Sequence, residues 1–139
     1  MLVIERLGAA AAVFVAAHFA MGYINASAGG NGGALLFPFA SNAGSRWVFG
    51  SLEGGPLVLL IPTMIGLAAI AVLALFLGFF ASLGLWVPAD LWRPLILVGV
   101  ASSTVLLVLH PSVWVALPLA LNAGLAWVAW TSAWTPAAA

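Results

Sequence analysis

The sequence predicts an all-α integral membrane protein: one domain over residues 1–139, built as a four-helix bundle with a long loop between helices 1 and 2. Three observations predict it. The chain is 65% hydrophobic and only 4% charged, whereas a water-soluble domain devotes roughly 25% of its residues to charge. Its uncharged apolar runs reach or exceed the roughly 20 residues that cross a hydrocarbon core. Its seven tryptophans cluster near the ends of those runs, where indoles favour the headgroup level.

The first span is read at residues 5–25, where Glu5 and Arg6 form an interfacial start. "MLVIER", an apolar run and "ASA" also have the layout of a signal peptide, but a retained helix is the reading adopted. The Asn25-Ala26-Ser27 triplet matches a glycosylation acceptor and is discounted as a common chance match. The second span is read at 57–83. Residues 95–130 carry no formal charge, yet as one helix they would reach about 54 Å, nearly twice the bilayer core. Pro111 is the expected fold-back point, because proline lacks an N–H and pushes its predecessor out of the α region. Ser112 can cap the next helix. The third and fourth spans are therefore expected near 89–109 and 113–133, with His110 at the tip of their hairpin.

The connection 26–56 is too long for a simple loop. Its glycine-rich ends are mobile in character, whereas "LLFPF" and "RWVF" are apolar enough to lie across the bundle mouth, burying Phe37, Phe39 or Trp47. "WVPADLWRPL" joins spans two and three. Pro88 and Asp90 suit a capped helix start, and Asp90 and Arg93 are spaced to neutralise each other. Four spans put both termini on one side with Arg6 and Arg93, opposite Arg46. That arginine bias favours cytoplasmic termini. Alanine-, glycine- and leucine-rich composition without lysine or cysteine suggests a bacterial inner-membrane protein.

Composition also excludes functions. Without cysteine there is no disulfide, thiolate metal site or iron–sulfur cluster. No basic tract offers a footprint for nucleic acid. No carboxylate pair, Ser-His-Asp set or metal-ligand cluster lies at depth, so no catalytic or metal residues are assigned and an enzyme is disfavoured.

Polar groups within the spans remain, and buried polarity in a membrane is a functional hypothesis by default. Counting helical rise places His18, Thr63, Ser102, Ser103 and Asn122 near one level, in the half opposite the termini. Pro62 and Pro118 lie just beyond that level, where each would free a carbonyl. Gly66, Gly99 and Gly124 would let helices approach closely. Two readings of this layer stand side by side. It is interhelical glue, or it is a small polar pocket around His18 that takes a quinone or lipid. Haem is not expected: its two ligands would be His18 and His110, which the helical rise sets about 10 Å apart in depth.

"ERLGAAAAVFVAAHFAMGYIN" resembles the first helix of DoxX-like small bacterial membrane proteins, through Arg6, His18 and Gly22. "EGGPLVLLIPTMIG", from Glu53, is similar to the acidic, glycine-rich approach to their second helix. The resemblance implies a four-span architecture and a link to quinone-dependent subunits, and it transfers no catalytic residue. The leading functional expectation is a non-catalytic accessory or assembly subunit of a larger respiratory or photosynthetic membrane complex. Its partners would be the lipid bilayer and other membrane subunits or further copies of itself. The alternative is a quinone- or lipid-binding, redox-linked protein using the polar layer. A small transporter ranks third, since no inverted repeat is visible.

Overall fold

The computed structural model describes residues 2–27, 60–109, 116–131 and 134–136. The loop segment 28–59, His110 and Pro111 lie outside the described residues, and with them the expected loop packing and the fold-back at Pro111. The described chain is all-helical, with four α-helices and no strand among the described residues. They are α1 (Leu2–Ser27), α2 (Leu60–Leu83), α3 (Trp92–Leu109) and α4 (Ala116–Thr131), with a short 3-10 turn at Ala89–Leu91 before α3. Three stretches, Val3–Met21, Ile65–Leu83 and Ala89–Val108, are long and apolar enough to cross a membrane. The fourth helix is apolar but shorter.

Consecutive helices pack in order. α1 lies chiefly against α2, α2 also against α3, and α3 against α4, while α1 and α4 touch over a smaller area. Each helix buries a stripe at helical spacing: Ala10, Val13, Ala17 and Ala20 on α1, and Ala68, Ala71, Leu75 and Ala81 on α2. On α3 the stripe is Trp92, Ile96, Val100 and Leu107, and on α4 it is Pro118, Asn122, Leu125 and Ala129. Residues three or four apart share a helix face, which explains the spacing. The buried faces of α1 and α2 are dominated by alanine, so their backbones can approach closely.

The α2–α3 seam is tighter still. A Cβ on Gly99 would fall 2.6 Å from Leu75 Cγ and 3.2 Å from the Leu75 backbone nitrogen. One on Gly78 would meet the tip of Ile96 at 2.8 Å. Gly66 and Gly124 have nothing within 4 Å of such a Cβ among the described residues. Of the three glycines expected to bring helices together, only Gly99 does so there. Pro94 stands third in α3. In the first turn the missing N–H has no intrahelical acceptor to lose. The residues that precede Leu60 and Ala116 lie outside the described ones, and with them the carbonyls that Pro62 and Pro118 are expected to free.

The turn after α2 follows from Gly84, whose φ of +69° terminates the helix. Gly84 N–H donates to Ala81 O at 3.1 Å and Leu85 N–H to Phe80 O at 2.9 Å, the paired bonds that satisfy a helix's last carbonyls. A tight turn follows, with Val87 N–H donating to Leu85 O at 2.6 Å around Trp86, whose φ is +59°. A non-glycine residue there is strained. The exposed Trp86 ring packs on Phe80, with centroids 5.0 Å apart.

The start of α1 and Pro136 meet at this turn. Arg6 Nη2 donates to the Pro136 carbonyl at 2.7 Å, and Gly84 lies beside the same guanidinium. Arg93 donates to Trp130 O at 3.3 Å. The expected Asp90–Arg93 neutralisation is thus replaced by a bond from α3 to one of the last carbonyls of α4, where a cation is also favoured by the helix dipole.

Candidate functional site

The polar layer forms in part. Asn122, 2% exposed, donates from Nδ2 to Ser103 Oγ at 3.1 Å and to Thr104 Oγ1 at 3.2 Å. This joins α4 to α3 through Ser103, itself 2% exposed. Thr104 is absent from the residues expected from the sequence; its signal is its place beside Ser103. Ser102 is half-buried on α3. Thr63 belongs to α2, but its side chain lies outside the described residues. His18 is half-buried on α1, with its ring tilted against Phe14 at 5.2 Å. Phe14 in turn meets Phe76 and Phe79 of α2, at 6.0 and 5.7 Å. Phe14 thus carries the ring contacts to α2, whereas the Asn122 cluster bridges α3 and α4.

This arrangement offers donors and acceptors but no acid–base pair. Among the described residues no group of three His, Cys, Asp or Glu side chains could hold a metal ion. Other hydroxyls bond their own helices: Ser82 Oγ donates to Phe79 O at 2.6 Å, and Thr131 Oγ1 to Trp127 O at 2.7 Å. Such bonds satisfy a hydroxyl locally and leave the helix surface apolar.

A separate cavity of about 530 Å³ opens between α1 and α4. None of the five residues assigned from the sequence lines it. Gly8, Ala9 and Ala12 form one wall, and Ala120, Gly124 and Val128 the other. The open space around Gly8 and Gly124 is part of its width. Glu5 stands at its terminal end and Trp92 and Trp134 line it. The two indoles meet edge to face, with centroids 5.2 Å apart. Trp92 is 1% exposed and belongs to the core, which corrects the expectation that all seven tryptophans are lipid-facing anchors. Both indole Nε1 atoms are buried without a hydrogen-bond acceptor among the described residues. Burying such a donor unpaired is costly.

No protein-family model, curated protein or solved structure matches this chain.

Proposed function

We propose that this chain is a small integral membrane protein whose four helices form a transmembrane bundle. In this reading it serves as a non-catalytic accessory or assembly subunit of a larger respiratory or photosynthetic complex in a bacterial inner membrane, with cytoplasmic termini. The observation that carries the reading is an inversion of size between core and surface. Alanine dominates the inside of α1 and α2, while Ile4, Leu73, Leu117, Trp127 and Trp130 are 64–77% exposed. Water would penalise that surface by about 25 cal/mol for every Å² of apolar area. Lipid tails and partner helices impose no such penalty, and small residues inside are what close helix packing in a membrane requires.

The accessory role is supported by what the surface offers. It is apolar around α1, α2 and α4, and it suits lipid and neighbouring helices alike. Ser82 and Thr131 bond within their own helices and Asn122 joins α4 to α3, as a scaffold needs. The test is isolation of the tagged chain from native membranes in mild detergent. Stoichiometric association with defined larger subunits, retained in His18→Leu, is the expected result. A stable lone homo-oligomer would overturn the accessory role.

The α1–α4 cavity favours a second reading, ligand binding, with the site moved from His18 to the terminal end of the helices. The DoxX-like resemblance through Arg6, His18 and Gly22 remains a proposal of common architecture.

A further inference from the structure

We propose that residues 134–136 form a releasable strap, latched by Arg6, that holds α1 to α4 at the terminal end and, when it lifts, lets the two helices part there. The inference rests on how the helices pack and is independent of the accessory role.

Consecutive helices pack in order, and the α1–α4 seam that would close the bundle is weaker than the other three. Glycine and alanine make up much of its two walls, and the open space around Gly8 and Gly124 belongs to a cavity of about 530 Å³. Walls that face empty space forgo the dispersion contacts by which packed helices hold each other. What bridges the seam instead is the segment after α4. Trp134 packs edge to face on Trp92, with ring centroids 5.2 Å apart, and the Pro136 side chain is fully buried. Arg6 Nη2 reaches from α1 and donates to the Pro136 carbonyl at 2.7 Å. A hydrogen bond from a charged donor is among the stronger ones.

The same strap is built to release. Three donors at it are buried without an acceptor among the described residues: Arg6 Nε, Trp92 Nε1 and Trp134 Nε1. Each costs the closed arrangement free energy that water or headgroup oxygens would offset on opening. Packing favours the closed strap and unmet hydrogen bonds oppose it, a balance that brings a second arrangement within reach. Arg6 is the latch by position. Its guanidinium also lies beside Gly84, so α1, the α2–α3 turn and the strap converge on it. The turn is fixed by backbone bonds of its own. Lifting the strap therefore frees the end of α4 from α1 and leaves the α2–α3 hairpin as it is. Trp134 lines the groove, so the same movement widens it at that end.

The test places pairs of nitroxide labels on the full chain in lipid nanodiscs, which its lack of cysteine allows, and reads distances by double electron–electron resonance. Ile4→Cys with Trp130→Cys, at positions 77% and 72% exposed, spans the strapped end. Leu73→Cys with Val98→Cys spans the α2–α3 seam. The α1–α4 pair is expected to show a main short distance and a minor longer one. Arg6→Leu should raise the ratio of longer to shorter about tenfold, the usual effect of removing one hydrogen bond to a charged group. Trp134→Ala, which loosens the strap without touching Arg6, should raise it independently. Arg6→Lys keeps a cationic donor and should bring the ratio back towards that of the unsubstituted chain. The α2–α3 pair should stay unchanged in all three. An unchanged α1–α4 distribution in both Arg6→Leu and Trp134→Ala would overturn the proposal. So would equal broadening of the two pairs, because Arg6 and Trp134 would then hold the whole bundle and not one seam.

Discussion

At the scale of single residues, the polar groups divide by what they hold. Asn122 contributes through two bonds, to Ser103 and Thr104. Interhelical contacts of this kind average about 0.6 kcal/mol in a membrane, so Asn122→Ala is expected to destabilise by about 1 kcal/mol. The two hydroxyls left behind can turn to carbonyls of their own helix, which limits the loss. Reversible unfolding in mixed micelles measures it, and a change above about 3 kcal/mol would show that the cluster carries more than these two bonds. His18 packs its ring, tilted, against Phe14. His18→Phe keeps an aromatic ring in that place and is expected to leave both the fold and any larger complex intact, read by circular dichroism and native gel mobility. Loss of a defined ligand from a folded His18→Phe protein would move the site back to the polar layer.

At the scale of elements, the α2–α3 seam and the turn that makes it are the most constrained parts. At Gly99 a methyl group would meet both the Leu75 side chain and its backbone nitrogen, whereas at Gly78 its tightest contact is the tip of Ile96. A side-chain tip can rotate away and backbone cannot. Gly99→Ala is therefore expected to cost about 1–3 kcal/mol, and Gly78→Ala less, by the usual cost of overpacking. Comparison of their unfolding midpoints checks the order, and equal costs would mean that the helices separate freely. Gly84→Ala, at a φ of +69°, should destabilise by about 1 kcal/mol through backbone strain alone.

The helices are legible in the sequence because uninterrupted apolar runs are long and their ends carry proline, glycine and tryptophan. Counting rise also places Ser103 and Asn122 at one level, and the structure joins them. The rotational phase of each helix is harder to read. When every face is apolar, hydropathy does not distinguish inside from outside, and only residue size carries the phase, as in the buried Ala10, Val13, Ala17 and Ala20. Trp92 reads as an anchor for that reason. The α1–α4 groove depends on the relative rotation of two helices more than a hundred positions apart, so no local pattern can announce it.

At the scale of the whole molecule, the central claim is that the exposed apolar surface faces lipid. The chain has no cysteine, so a single introduced thiol is a unique reporter. Leu73 and Val98 are 64% and 50% exposed in the midst of α2 and α3, and Trp86 is 88% exposed in the turn between them. Protein packing therefore hides none of the three. The most direct measurement is labelling of Leu73→Cys, Val98→Cys and Trp86→Cys by a membrane-impermeant maleimide, with the protein in membranes opened to both faces. The account predicts rapid labelling of Trp86→Cys, with Leu73→Cys and Val98→Cys reacting only after detergent denaturation. Labelling of all three at similar rates in intact membranes, or recovery of the folded protein from the soluble fraction, would contradict it.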